Sequence, residues 1–280
     1  MNRWRLRKVS ARALLYGGAA LLALQAAFPF FWMASTSFKP PVEVFAQPPS
    51  FIPRAPTLDN FHRLFTATSF LTYFKNSLTV SGLAVLLTMV VSAAGAYSLT
   101  RYHYPGREKI AGLILCTYMF APIMVVIPFF ILVKKAGIEN THLALVLAFT
   151  SFCLPFTLWL LRAFFETIPL ELEEAALVDG AGRVRAVIHV VLPLALPGII
   201  ATSIFTFILA WNDYIFTRIL IASDELKTLP VGVQDLFHSA LIDWGLIMAA
   251  GMMITIPALV FFVAVQRYLI RGWGAGAVKG

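Results

Sequence analysis

The sequence runs to 280 residues, of which 59% are hydrophobic and 13% charged, with a mean hydropathy of +0.80. One soluble core of that length cannot hide so much apolar surface, so a soluble globular enzyme is excluded and an integral membrane protein is expected. The net charge of +8 needs only a lipid bilayer and its cytoplasmic face as partner, and implies no nucleic acid.

Long apolar segments without the period-two alternation of barrel strands predict an all-α, polytopic protein. The first span is expected at 13–35, after Arg3, Arg5, Arg7, Lys8 and Arg12. A signal peptide has the same order of basic and apolar residues, but its apolar region covers roughly 7–15 residues whereas a spanning helix needs about 20. A retained helix with a cytoplasmic N-terminus fits better, with Trp32 and Phe38 at the far interface. The connector from Lys39 to Lys75 contains Pro40, Pro41, Pro48, Pro49, Pro53 and Pro56, which predict extended or turn structure. Spans are expected at 78–99, where Ser92, Ala93, Ala94, Gly95 and Ala96 form a small-residue patch for close helix approach, and at 110–133, interrupted by Pro122 and Pro128. A fourth is expected at 143–161, a fifth at 194–211 and a sixth at 245–265. Six spans put both termini on the cytoplasmic side of a single transmembrane domain covering 1–280. Of the 22 Lys and Arg, fourteen then fall on inside segments and eight outside, the bias that the positive-inside rule requires, with Lys134 and Lys135 dissenting.

Between the fourth and fifth spans lies a charged interruption at 167–193. Pro169 suits a first helical position, Glu171, Glu173 and Glu174 face the positive end of a helix dipole, and Gly180 with Gly182 lets the chain turn out. Leu172, Ala175, Ala176 and Asp179 fall three or four apart, a shallow stripe suited to docking in another protein's groove.

No Gly precedes a Lys anywhere, so the Gly-Lys-Ser/Thr ending of a P-loop is absent and any ATPase is expected on a separate chain. His62, His103, His142, His189 and His238 are scattered without metal-ligand spacing, and Cys116 and Cys153 each lie in an apolar run, so neither a metal nor another cofactor is expected. No acidic pair occupies an expected span, which argues against the alternative of a self-contained, ion-coupled secondary carrier or channel.

Glu174-Ala175-Ala176, then Gly180, Val190 and Leu192-Pro193, resembles the EAA loop of the membrane subunits of binding-protein-dependent ABC importers, with Val190 where that family usually has isoleucine. Phe28-Pro29-Phe30-Phe31-Trp32, Ser35-Thr36-Ser37-Phe38-Lys39-Pro40, Trp211-Asn212-Asp213 and Gly276-Ala277-Val278-Lys279-Gly280 are similar to the smaller permease of carbohydrate importers of the maltose, trehalose and glycerol-3-phosphate class. The resemblance implies a multi-pass protein of a prokaryotic cytoplasmic membrane. Its implied partners are a second, related permease, a dimer of ABC ATPase subunits and an extracytoplasmic sugar-binding protein. It also implies that Glu174, Ala175, Ala176, Asp179, Gly180, Leu192 and Pro193 form the ATPase-docking loop, and that the tail from Arg271 reaches toward the ATPase, although a Gly-rich end also reads as merely flexible. Thr202, Thr206 and Asn212 in the fifth span are candidates for a hydrated translocation path; intramembrane Thr also commonly bonds its own helix backbone. The identity of the transported sugar is not written in these residues.

Overall fold

A computed structural model describes residues 3–238 and 242–276, of which the side chains of the N-terminal eleven residues and of the stretch after 266 are left undescribed. The described residues are helical, with no strand among them. The principal helices are α1 (Arg3–Ser37), α2 (Phe70–Arg101), α3 (Arg107–Thr117), α4 (Pro122–Lys135), α5 (His142–Glu166), α6 (Leu170–Val178), α7 (Leu196–Trp211) and α8 (Trp244–Gly276). Four helical stretches are long and apolar enough to cross a membrane, Leu14–Ser37, Phe70–Arg101, His142–Glu166 and Trp244–Ala264, and the count reaches six if two sharply bent pairs each make one span.

Those two pairs depart from simple spans. The expected third span at 110–133 is two helices, α3 and α4, meeting at 101°. Ala121 is extended (φ −63°, ψ 141°), the conformation that the ring of Pro122 imposes on the residue before it, and Pro122 then opens α4 where its missing N–H costs nothing. Pro128, by contrast, lies within α4 without ending it. The second pair, Arg183–Leu194 with Leu196–Trp211, bends by 78° at Ala195. Approaching that bend the chain makes a wide π turn over Val187–Val191, in which the Leu192 N–H bonds the carbonyl of Val187, just before Pro193 removes the next donor.

The connector expected to be extended across 39–75 instead holds two short helices, Pro41–Val44 and Asp59–Thr66, and α2 begins at Phe70 rather than 78. Its polar first turns are used: Asn76 donates to the carbonyls of Glu225 (2.7 Å) and Lys227 (2.9 Å), and the Ser77 hydroxyl accepts from the Leu229 N–H (2.7 Å). The segment between the fifth and sixth expected spans also folds, into Ile215–Leu220, a 3-10 turn at Asp224–Leu226 and Leu229–Leu236.

The chain divides into two compact units. One comprises the stretch up to Phe70 with Val233–Thr255; the other comprises Leu71–Gly232 with the stretch from Ile256. In the first, Asn60 is buried and donates to the carbonyls of Ser37 (2.9 Å) and Lys39 (2.8 Å), tying the connector to the end of α1, while Arg63 pairs with Asp243 (2.5 Å). In the second, α2, α5 and α7 form the core around Ala96, Leu161, Phe165, Val191 and Ala195. The small-residue patch of α2 meets α5 as its composition predicts: Ser92 and Thr157 hydroxyls lie 2.7 Å apart, and a Cβ on Gly95 would stand 2.7 Å from a Leu158 methyl. Gly198 similarly admits the ring of Phe164, which would lie 2.5 Å from a Cβ there.

Candidate functional site

The interruption at 167–193 folds as a nine-residue helix, α6, entered through Pro169. Pro169 is the cap rather than the first helical residue, with extended φ −57° and ψ 136°. Glu171 and Glu173 occupy the first turn, where the helix dipole favours carboxylates. Asp179 closes the helix and Gly180 adopts φ 87°, a left-handed turn that L side chains rarely enter; its N–H bonds the Leu177 carbonyl (3.1 Å).

The two faces of α6 differ sharply. Glu173 is 4% exposed, with Ala176 and Leu177 half-buried on the same side. Opposite them, Glu171, Leu172, Glu174, Ala175, Val178 and Asp179 are exposed, Val178 at 87%. Of the residues that the loop signature singles out, Glu174, Ala175 and Asp179 therefore lie on open surface, Ala176 at its edge, and Gly180 in the turn. Leu192 is half-buried, Pro193 is exposed, and both sit in the short helical segment before the 78° bend.

The buried side carries a cluster that the sequence reading did not single out. One Glu173 oxygen accepts from the Tyr97 hydroxyl and the other from Arg101 Nε at 3.0 Å; the two charged side chains are only 10% and 6% exposed. Arg101 Nη2 also donates to the Ile168 carbonyl (3.1 Å), two residues before α6. On the far side of the loop, Arg183 donates to the Tyr102 hydroxyl (2.9 Å) and lies over its ring at 5.4 Å. The end of α2 thus grips the loop before, within and after α6. In the sequence Arg101 reads as one more inside-facing cation, 72 residues from its partner, so no short-range pattern announces the pair.

In the fifth span Thr202 and Thr206 are fully buried within the chain. The Thr202 hydroxyl donates to the Gly198 carbonyl (2.8 Å) and lies 3.3 Å from the Met89 sulfur, and Thr206 is beside Cys153. Asn212 is exposed at the end of α7, its amide bonded to the Ile208 carbonyl (2.9 Å). Asp213 beside it caps Ile215–Leu220, accepting from the Thr217 N–H (3.1 Å), and burial raises its carboxyl above the ordinary range. The tail Gly276–Gly280 lies outside the described residues apart from Gly276 itself.

Residues 93–274 match the family described as "Binding-protein-dependent transport system inner membrane component". The chain belongs to that family. It is 35% identical over 276 residues to the inner membrane ABC transporter permease protein YcjP of Escherichia coli, covering 98% of this chain and 99% of that one. It is 38% identical to the diacetylchitobiose uptake system permease protein DasC of Streptomyces coelicolor, covering 94% and 95%. A chain of a bacterial ABC transporter involved in import of the acidic polysaccharide alginate superposes with a TM-score of 0.82 at 25% identity, covering 96% of this chain and 98% of that one. The chain is accordingly a permease subunit of a binding-protein-dependent importer, a membrane component without an enzymatic role assigned by its relatives. The loop signature falls inside the matched stretch, and so does Arg101, whereas α1 and the connector after it fall outside.

Proposed function

We propose that this permease carries a sugar or sugar-like solute, that it forms half of the pathway with a second, related permease, and that a separate pair of ABC ATPase subunits drives it. The carbohydrate cargo named for the diacetylchitobiose relative supports the solute class. An extracytoplasmic solute-binding protein delivers the cargo; the family description and the alginate transporter solved with its periplasmic protein support that partner. Six spans, with each bent pair crossing once, leave both termini in the cytoplasm of a prokaryotic cell, and the charge bias supports that orientation.

The observation that carries this reading is the two-faced α6: a short helix held to the body by a buried ion pair while Leu172, Glu174, Ala175, Val178 and Asp179 face outward. On this reading the outward face seats in a cleft of the ATPase, with Glu174 as polar anchor and Ala175 and Ala176 as the close-packing surface. Nucleotide moves the permease between inward- and outward-facing states only by binding one of them more tightly. In the fifth span we assign Thr202 and Thr206 to helix packing and keep Asn212, exposed at the end of α7, as the candidate path residue. Affinity purification of the tagged chain from mild detergent, with Gly180→Asp alongside, tests the proposal. Copurification of a P-loop ATPase and a second polytopic protein with the parent, and loss of the ATPase from the variant, is expected; a chain that emerges alone in both would overturn it and favour a self-contained carrier.

A further inference from the structure

We propose that Arg101, Glu173 and Tyr97 are positioning residues that weld the coupling helix α6 to the inner end of α2, so that loop and α2 move as one body through the transport cycle. The inference rests on the proposed docking of an ATPase at α6. Covalently, α6 is attached only to α5 before it and to the bent segment leading into α7 after it. A nine-residue helix on two such tethers, with most of its surface exposed, has little to fix its orientation.

The Glu173 carboxylate supplies the missing constraint. Both of its oxygens are occupied from α2, by Tyr97 and by Arg101 Nε at 3.0 Å. The same guanidinium reaches the Ile168 carbonyl (3.1 Å), so one rigid planar group fixes both the approach to α6 and its first turn. Arg183 on Tyr102 repeats the grip beyond Gly180 and Gly182. Because the pair is nearly dry, opening it would leave charges poorly solvated, and the joint resists being pulled apart where an exposed pair would not. A push on the outward face of α6 is thereby delivered to α2, whose small-residue patch packs directly on α5.

The test replaces the clasp by a covalent one. In the complete complex, with Cys116→Ser and Cys153→Ala to remove the native thiols, Arg101→Cys and Glu173→Cys are introduced together, and ATP hydrolysis by the copurified complex is measured reduced and after bridging by a bifunctional thiol reagent that spans the lost side chains. The double change removes both charges, so neither is left orphaned. Hydrolysis or ATPase retention lowered about tenfold when reduced and returned to within about twofold of the parent when bridged is expected. Full activity when reduced would show the clasp dispensable. Inactivity after bridging, whether or not the reduced form works, would show that α6 must swing against α2. Either result overturns the proposal, whereas failure of the parent itself to retain an ATPase would instead overturn the function on which it rests. Tyr97→Phe, which keeps the ion pair and removes one hydrogen bond, should lower hydrolysis by several-fold at most; a loss as deep as that of the double variant would place the joint at the tyrosine instead.

Discussion

Glu173 and Glu174 are neighbours in sequence and opposites in environment. Arg101→Ala strands the Glu173 carboxylate on its buried side, and breaking a buried pair by removing one partner costs about 3–5 kcal/mol, so a clear fall in Tm in detergent is expected. Glu174→Gln, on open surface, should leave Tm unchanged while weakening retention of the ATPase. The spacing of the loop signature singles out Glu174, but it says nothing of which carboxylate turns inward, because that is decided by α2 and by a cation 72 residues away. Gly180 was legible for a sounder reason: a turn out of a short helix favours glycine, and its φ of 87° is the conformation that requires it. Among the described residues none but its chain neighbours comes within 4 Å of where its Cβ would stand, so Gly180→Ala meets backbone strain, about 1–2 kcal/mol, and should lower Tm modestly.

Asp213 gives a pH-dependent expectation at the same scale. Burial raises its folded pKa above the ordinary 3.8, so its contribution to stability is fully present below that value and is lost as pH rises through the higher folded pKa. Asp213→Asn should therefore flatten the fall of Tm with pH that begins at the ordinary 3.8. A variant curve parallel to that of the parent would refute the assignment.

At the scale of elements, the apolar runs of the sequence are helical in the structure, but hydropathy gives neither the helix ends nor the breaks. The first two turns of α2 contain Lys75 and Asn76 and so fail a hydropathy test, yet Asn76 is helical because its amide has two carbonyls to satisfy, those of Glu225 and Lys227. Equally, a proline in an apolar run reads as a kink of unspecified size. Pro122 yields 101° because it follows an extended Ala121, whereas Pro128, six residues on, leaves its helix continuous. Pro122→Ala relieves the restriction on Ala121 and should let α3 and α4 straighten toward one rod. Spin labels at Leu113 and Ile127 would then separate toward about 21 Å, the rise of fourteen helical residues. An unchanged distance would mean that packing around the break, not the proline, sets the bend. The outward face of α6 makes a second element-scale expectation: Val178→Glu, at a position 87% exposed, should leave Tm intact and lower ATPase retention at least tenfold.

For the whole molecule, composition and the loop signature together made the family legible, and residues 93–274 bear it out. What they could not convey is which apolar helices find partners within the chain. Hydropathy does not rank them by burial: over half of the apolar window of α5 is buried inside the chain and none of that of α1 is, although the α1 window is the less apolar of the two. The difference follows from side-chain size and hydroxyl pairing: α5 presents Thr157 and a leucine to the Ser92 and Gly95 patch, while the outward residues of α1 are Leu14, Leu15, Leu21, Leu22 and Leu24.

The unburied window of α1 has a consequence for biogenesis. A window that the rest of the chain leaves uncovered must be stable against lipid, or against a partner subunit, as it leaves the translocon. A charge at its centre would cost about 2.5–3.5 kcal/mol of insertion free energy with no internal neighbour to share the burden. In α5 the hydroxyls of Thr150 and Thr157 are already hidden among other helices.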